Sequence, residues 1–336
     1  MSVTIDENNG TADAQVADIV VLGNTNVDLV AYVPHEVAEG ETVIASDFKI
    51  GLGGKGANQA VATTRAGSRV SFIGCVGDDS FGEMMQEGLS GEGIDLAHLK
   101  KVDGASGNAT IWVQPDGANR ISVFMGASAE LTTEDVEDAV ASNAQAHFFV
   151  SQLELGQEVV RAGLSSAKAH GMTTVFNIAP YAPLLPEILD TTDWLIANEG
   201  EIEELLRQAG LEASLDASPQ ELLAHIPSWS EAIGTNLVVT MGSKGALGYA
   251  IGSEPYFATA PKVAAVDSVG AGDCFVGYFV AALSGGYSWQ QALGTGVHAA
   301  SESVQRFGAQ ASYPPREDAT RFLTAGEHGP LNAPTR

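Results

Sequence analysis

The chain has 336 residues, of which 45% are hydrophobic and 17% are charged, a composition typical of a folded globular protein rather than a disordered one. Its 42 acidic residues against 16 basic ones give a net charge of −26, which argues against binding to nucleic acid or to an anionic membrane. An anionic substrate is compatible with this charge if a metal ion accompanies it.

The two ends of the chain are polar. Residues 1–16 are acidic and lack the apolar segment of a signal peptide, and residues 326–336 are similar in character, so both are predicted to be flexible tails. Cys75 and Cys274 belong to no CxxC or Cys/His spacing, which predicts two reduced, buried thiols. No apolar run approaches the ~18 residues that cross a bilayer. We therefore expect a cytoplasmic protein with no nucleic-acid or membrane partner.

Between the tails, strand-like and helix-like segments alternate. Apolar and β-branched runs predict strands at 18–33, 70–77, 146–153, 173–180, 193–200, 236–250 and 256–261. Helices are predicted at 56–67, which is rich in alanine and closed by glycine, and at 79–93, which begins with an acidic cap. This order predicts an α/β fold with a mostly parallel sheet between two layers of helices, in which ligands bind beyond the carboxyl ends of the strands.

Two segments, 37–54 and 105–128, interrupt this alternation. Both alternate apolar and polar residues around turn formers, and the second contains a hairpin signal at "PDGANR". They predict antiparallel strands with no helix between them. Such strands form either a small sheet that serves as a lid over the strand ends or an edge extension of the main sheet with no gating role.

Polar residues in the N-terminal part of the chain are candidates for contact with a sugar. Asn26 and Asp28 in "GNTNVDLV" alternate just past a buried strand, where they can hydrogen-bond neighbouring hydroxyl groups or make an ordinary turn. "GLGGKGANQA" is a glycine-rich turn that leads into a helix and contains Lys55 and Asn58, but it lacks the spacing of a P-loop. It is either a substrate loop or a flexible loop with a solvated lysine.

Two later motifs are candidates for contact with a nucleotide. In "NEGEIEEL", Asn198 ends a strand and Glu201 begins an acidic helix, so Glu201 either caps that helix or holds Mg²⁺ through water. In "TMGSKGA", Thr240 and Gly242 follow a strand and are candidates for contact with phosphate.

The segment "VDSVGAGDCFVGYF" (266–279) places a carboxylate inside an anion site. The backbone N–H groups of Gly270, Ala271 and Gly272 precede a predicted helix and favour a bound phosphate. Asp273 would repel that phosphate, so it is predicted to face the other reactant and to accept the proton of an attacking hydroxyl group. The alternative is that Asp273 only caps the helix.

Together these motifs resemble the ribokinase-like carbohydrate kinases, the family that includes the B-type phosphofructokinases. The resemblance covers residues 18–322 and rests on the order of several motifs: "GNTNVDL", "GGKGANQAVA", "FIGCVGDDSFG", "QLE", "NIAP", "NEGE", "TMGSKG", "VDSVGAGDCF" and "GAQASYP". It implies a Rossmann-like three-layer core with a small β-sheet lid, in a kinase domain at 17–325 whose lid is formed by about 28–52 and 103–128. It also implies an ATP-dependent enzyme that dimerises through its lids.

The resemblance assigns a role to individual residues. Asp273 is implied as the general base, and the anion hole is Gly270, Ala271 and Gly272. Sugar contacts are implied for Asn26, Asp28, Gly54, Lys55, Asn58, Ala109, Ile111, Glu154 and Asp273. Nucleotide contacts are implied for Asn198, Thr240, Gly242, Gly272 and His298. Mg²⁺ is implied near Glu201 through water, and K⁺ near Asp267, Val269, Ser303, Arg306, Gly308 and Ser312.

The implied reaction is transfer of the γ-phosphate of ATP to the 5-hydroxyl of D-ribose. Other sugars, sugar acids and nucleosides are alternative substrates within the same family, and a sensor of sugar or nucleotide without catalysis is an alternative from another class. The sequence departs from the family pattern at "NIAP", at Cys274 after the base, and at Asn108 in the lid, where a small apolar residue is frequent. The departure at Asn108 bears on the identity of the sugar.

Overall fold

A computed structural model describes residues 16–211, 215, 217–319 and 321–322 of the chain. The predicted tails at 1–16 and 326–336 lie outside the described residues, apart from Val16. In the described part of the chain, no helix combines the length and the apolar character that a bilayer span requires.

The larger of two sheets has nine strands. They are β1 (Ile19–Leu22), β4 (Val70–Gly77), β5 (Leu99–Val102), β8 (Phe148–Gln152), β9 (Thr173–Asn177), β10 (Trp194–Asn198), β11 (Asn236–Thr240), β12 (Gly245–Tyr249) and β13 (Tyr256–Thr259). Their spatial order is β13-β12-β11-β10-β9-β8-β1-β4-β5. The seven strands from β11 to β5 run parallel, and only β12 and β13 are antiparallel to their neighbours. Their central strands are almost continuously apolar because helices cover both faces.

Ten helices are described. They are α1 (Lys55–Arg65), α2 (Ser80–Gly91), α3 (Thr133–Ser142), α4 (Gln157–Ala169), α5 (Pro186–Asp190), α6 (Glu199–Gln208), α7 (Pro219–Leu223), α8 (Ile226–Ile233), α9 (Ala271–Ser284) and α10 (Trp289–Ser303). Two apolar clusters lie on opposite faces of the sheet. One contains buried residues of α3, α4, α6 and α8, and the other contains those of α1, α9 and α10. The predicted three-layer α/β core is confirmed.

The smaller sheet has four strands in the order β3-β2-β6-β7. They are β2 (Asn26–Tyr32), β3 (Asp47–Gly53), β6 (Asn108–Val113) and β7 (Asn119–Phe124). Because this sheet is separate from the large one, the alternative of an edge extension is wrong. The small sheet continues directly from β1 of the core through residues 23–25, so its first strand begins beside the carboxyl end of a core strand.

Several predicted strands differ from the observed ones. The run at 18–33 is divided between β1 and β2, because the chain leaves one sheet and enters the other at residues 23–25. The run at 236–250 is a hairpin of β11 and β12 with a tight turn at Gly242–Lys244. Only 47–53 of the segment 37–54 is a strand. The lid is not wholly antiparallel either, since β2 and β6 run parallel. The division into a domain at 17–325 and a lid at about 28–52 and 103–128 stays a prediction.

Candidate active site

The start of α9 combines an anion-binding backbone with a buried carboxylate. Gly270 precedes the helix with φ 73°, a conformation that favours glycine. A Cβ at this position would lie 2.6 Å from the hydroxyl oxygen of Tyr313, and that hydroxyl donates to the Gly270 carbonyl at 3.0 Å. The N–H of Ala271 donates to the Ser268 carbonyl at 3.2 Å, so one of the three predicted anion-hole donors already has a turn partner.

The carboxylate of Asp273 faces α1, and only 6% of the residue is exposed. Its Oδ2 accepts from the amide of Asn58 at 2.9 Å, and its Oδ1 accepts from the amide of Gln59 at 3.0 Å. Asn58, predicted to contact a sugar, therefore also contacts the predicted base. The helix-cap alternative does not account for this geometry, because no side chain of the described residues caps the start of α9 and the Asp273 carboxylate accepts from two side chains of α1 instead.

Lys55 lies among carboxylates rather than in solvent. Burial lowers the pKa of its ammonium group, but three neighbouring carboxylates outweigh burial and leave that pKa above its ordinary value. These carboxylates belong to Asp273, Glu154 and Glu201. Glu154 also accepts from the backbone N–H of Lys55 at 2.9 Å, while burial raises the pKa of the Glu154 carboxyl. The alternative of a solvated lysine is wrong.

The small sheet brings the remaining predicted sugar contacts to one face. Asp28 pairs with Ala109 across β2 and β6, and Ile111 follows two residues later on the same side of the sheet. A Cβ at Gly53 would lie 2.4 Å from Oδ2 of Asp28, so the glycine of β3 makes room for that carboxylate. Asn26 is buried at the base of β2. Gly54, with φ 87°, caps α1 and packs against the backbone of residues 24–26.

Asn108 lies on the other face of the lid sheet. It pairs with Val27 rather than with Asp28, and successive residues of a strand point to opposite faces. The departure from the family pattern at Asn108 therefore does not place a new polar side chain beside Asp28.

Two adjoining cavities meet at the start of α9. The larger, of about 690 Å³, is lined by Thr240, Gly242, Ser243, Gly245, Ala260, Pro261, Lys262, Val263, Ala265, Ser268, Ala271, Gly272, Phe275, Val297, Ala300, Ser301 and Val304. The smaller, of about 480 Å³, is lined by Lys55, Asn177, Ala179, Ile196, Asn198, Glu199, Gly200, Glu201, Thr240, Gly242, Ser268, Gly270, Ala271, Gly272 and Asp273. Thr240 and Gly242 line both. Among the described residues, Val297 lines the larger cavity whereas the neighbouring His298 does not.

Asn198 and Glu201 form a reciprocal cap at the start of α6. The backbone N–H of Asn198 donates to Oε2 of Glu201 at 2.8 Å, and the backbone N–H of Glu201 donates to Oδ1 of Asn198 at 2.9 Å. Burial raises the pKa of the Glu201 carboxyl. The capping role is therefore present, and both residues still line the cavity that ends at Asp273.

Asp267 ties together the two segments of the predicted K⁺ site. Its carboxylate accepts from the backbone N–H of Val269 at 3.0 Å and from that of Gly308 at 2.9 Å. Arg306 donates to the carbonyl oxygen of Ser312 at 3.0 Å, and Ser303 is buried at the end of α10. The six predicted residues thus belong to two connected segments behind the anion hole. Both carboxylate oxygens of Asp267 and the main-chain carbonyls of Ser303 and Ser312 already accept hydrogen bonds from the chain.

The sequence predictions missed a set of buried amides around Asp273. Gln59 also donates to Oδ1 of Asn177 at 3.1 Å, and Gln152 donates to Oε1 of Gln59 at 2.8 Å. Gln310 donates to Oδ1 of Asn58 at 3.0 Å. A signal was available for two of them, because "FFVSQ" and "TTVFN" are buried strands that end in a polar residue. Cys75 and Cys274 are free and buried, as predicted.

The family model described as pfkB family carbohydrate kinase matches residues 16–316. The chain belongs to this family. Among curated pfkB relatives, it is 36% identical over 307 residues to the ribokinase of Schizosaccharomyces pombe, covering 88% of this chain and 95% of that protein. It is 34% identical over 316 residues to the deoxyribokinase of Salmonella typhimurium, covering 92% of this chain and all of that protein.

A solved structure supports the same family. The structure of Arabidopsis thaliana ribokinase complexed with ribose and ATP superposes with a TM-score of 0.81 at 28% identity, covering 92% of this chain and 99% of that one. The chain is therefore an ATP-dependent carbohydrate kinase of the pfkB family, and the resemblance seen in its motifs is confirmed.

Proposed function

We propose that this kinase transfers the γ-phosphate of ATP to the 5-hydroxyl of D-ribose. The observation that carries the proposal is the position of Asp273, a buried carboxylate at the start of α9, beside a cavity that adjoins a second, largely apolar one. Asp273 accepts the proton of the hydroxyl group as its oxygen forms a bond to the γ-phosphorus. The bond from that phosphorus to the bridging oxygen of ADP breaks, and ADP leaves.

Ribose is favoured over two other substrate classes. Asp28 and Glu154 are acceptors for sugar hydroxyl groups, and the charged groups around them are mostly negative, which disfavours a sugar acid. A 2-deoxy sugar offers these buried carboxylates one hydroxyl group fewer, and unpaired buried acceptors lower affinity. The 34% identity to a deoxyribokinase nevertheless makes 2-deoxyribose the alternative to test first.

The nucleotide is proposed to occupy both cavities. The adenine ring fits the larger cavity, whose lining includes Phe275, Val297 and Val304, and the phosphates extend past Thr240 and Gly242 toward Gly272. Lys55 supplies a positive charge in the smaller cavity, since its pKa lies above its ordinary value. Asn198 lies beside the phosphates in this arrangement. A contact from His298 to the nucleotide stays a prediction.

The residues present fit both implied cations. No group of three or more His, Cys, Asp or Glu side chains within the described ranges forms a metal site, so Mg²⁺ is expected to bind mainly through phosphates and water, with Glu201 as an outer oxygen acceptor. K⁺ is proposed at Asp267 and at main-chain carbonyls of the two segments, since a carbonyl that accepts one hydrogen bond retains a second lone pair. Both cations supply positive charge beside the anion hole when bound.

The test is Asp273→Asn, with turnover of ATP measured across ribose, 2-deoxyribose, hexoses, sugar acids and nucleosides. Loss of the base is expected to lower kcat at least about 100-fold, because general base catalysis contributes ~10²–10⁴-fold. Asp138→Asn, on the exposed side of α3, is the matched control and should retain activity. Activity of Asp273→Asn within about tenfold of the parent would exclude the base assignment.

The same panel distinguishes the alternatives. A clear preference for ribose supports the proposal. A preference for 2-deoxyribose would show that the substrate is 2-deoxyribose and not ribose, and no turnover of any sugar would favour a sensor. Replacing K⁺ by a large organic cation in the ribose assay should lower activity several-fold, and unchanged activity would argue against the K⁺ site.

A further inference from the structure

The hydrogen bonds around Asp273 determine which way each buried amide group is turned, that is, which partner its oxygen faces and which its NH₂ group faces. An ionised carboxylate can accept hydrogen bonds but cannot donate one, and the same is true of a backbone carbonyl oxygen. Asn177 donates to the carbonyl of Ile196 at 3.1 Å, so its oxygen must face Gln59. Gln59 must then present its NH₂ group to both Asn177 and Asp273, at 3.1 Å and 3.0 Å. Its oxygen is left to accept from Gln152.

This orientation is enforced by residues from distant parts of the chain. Gln59 is completely buried, and Gln152 is 1% exposed. Gln59 lies on α1, Gln152 ends β8 and Asn177 ends β9. Reversal of the Gln59 amide would place its oxygen against two acceptors, the Asp273 carboxylate and the Asn177 oxygen, which is unfavourable.

We propose that Gln59 is a positioning residue for the general base. Its NH₂ group fixes the Oδ1 side of the Asp273 carboxylate, while Gln59 itself lines neither cavity. Asn58 holds Oδ2 from the same helix, but it is itself a predicted sugar contact, so Gln59 is the donor whose effect can be separated from sugar binding. This inference rests on the proposed function, because it assigns Asp273 the role of base.

Asp273 also has charged and titratable neighbours other than the amides. The titratable groups that interact with it come from the start of α1, the loop after β8, α6, its own helix and the C-terminal loop: Lys55, Glu154, Glu201, Cys274 and Tyr313. All of these remain when Gln59 is changed. A shift in the pH profile of a Gln59 variant relative to the parent therefore reports the lost donor.

The experiment measures kcat against pH, with both substrates saturating, for the parent, Gln59→Met and Gln152→Met. Methionine keeps the length of the side chain and removes both amide atoms. For Gln59→Met we expect kcat at neutral pH to fall about tenfold or more, the KM values to stay within about twofold of the parent, and the acidic limb of the profile to move up by as much as about one pH unit.

Gln152→Met separates this role from a structural one. Gln152 is almost as buried and belongs to the same set of amides but makes no hydrogen bond to Asp273, so Gln152→Met should lower thermal stability but move the acidic limb less. If both variants lose stability and neither moves the acidic limb, Gln59 only supports the fold and the inference is wrong. If Gln59→Met does not fold, Gln59→Glu retains the acceptor for Gln152, and its activity should fall as pH rises, because the new carboxylate repels Asp273 when ionised. A flat profile for Gln59→Glu would also overturn the inference.

The parent enzyme keeps the two hypotheses distinct. A parent that phosphorylates no sugar contradicts the proposed function, whereas an active parent together with an unshifted Gln59→Met profile contradicts only the positioning role.

Discussion

Asp28 illustrates how a residue that we propose to bind the sugar can destabilise the protein that carries it. Burial and, to a lesser extent, the nearby charge of Glu154 together raise the pKa of its carboxyl from 3.8 to about 6. Because the folded state holds this proton more tightly than the unfolded chain, ionisation of Asp28 opposes folding. This unfavourable contribution is absent below about pH 4, grows as pH rises from about 4 to about 6 and is constant above that.

Asp28→Asn should therefore stabilise the protein without substrate while weakening sugar binding. The difference of about two pKa units corresponds to about 2–3 kcal/mol at pH 7.5, and it should shrink as pH is lowered to 5. Thermal unfolding at both pH values measures this effect. The KM for ribose should rise at least about tenfold, because the sugar loses a charged hydrogen-bond acceptor. Asp138→Asn is the control for loss of an exposed carboxylate. If Asp28→Asn is no more stable than the parent at pH 7.5, the raised pKa of Asp28 is contradicted.

At the scale of elements, the site depends on the close approach of α1 and α9. Gly277 lies on α9 one turn beyond Asp273, and a Cβ there would lie 2.5 Å from the Cβ of Ala62 and 2.7 Å from the backbone nitrogen of Thr63. Such distances require a glycine. The contact holds Asp273 within hydrogen-bonding distance of the two amides of α1.

Gly277→Ala should lower both stability and turnover. Overpacking of a tight helix contact costs about 1–3 kcal/mol, and separation of the helices lengthens the bonds to Asp273, so kcat should fall more than the KM values change. Urea unfolding and steady-state kinetics measure the two effects.

Gly91→Ala provides the matched control, because it also lies in a helix, is exposed and has open space around its Cβ position. That substitution should stabilise the protein by about 0.5–1 kcal/mol. If the two variants behave alike, the close packing of α1 against α9 does not control the site.

The same elements show what the sequence could and could not predict. The GAGD segment predicted a carboxylate at a helix start because glycines and the following apolar helix are local signals. Gln59, Gln152 and Asn177 meet only through tertiary packing of α1 against two strands, so no local pattern pairs them. The point at which β1 ends and β2 begins also depends on tertiary packing, since the backbone of Gly23 makes room for Gly56 at the start of α1: a Cβ on Gly23 would lie 2.5 Å from the Cα of Gly56.

At the scale of the whole molecule, a strongly acidic protein carries an apolar face on its lid. Phe48, Ile50, Trp112 and Phe124 are 41–55% exposed. The strand register places all four on one face of the small sheet, opposite to the face that carries Asp28. Exposed apolar patches of this kind mark interaction surfaces. The net charge of −26 opposes non-specific association between copies, so the apolar face is where we propose that a second copy binds.

Ile50→Glu should convert the proposed dimer to a monomer. In a contact with two-fold symmetry, the new carboxylate of one copy faces the same carboxylate, or the apolar residues around it, on the other copy. Burial of an unpaired charge there is unfavourable. Light scattering after size-exclusion chromatography should give twice the chain mass of 34.8 kDa for the parent and the chain mass itself for the variant. Ile251→Glu, which changes an isoleucine of similar exposure in a turn of the core, should leave the dimer intact. A monomeric parent, or a dimer that persists in Ile50→Glu, would contradict association through this face.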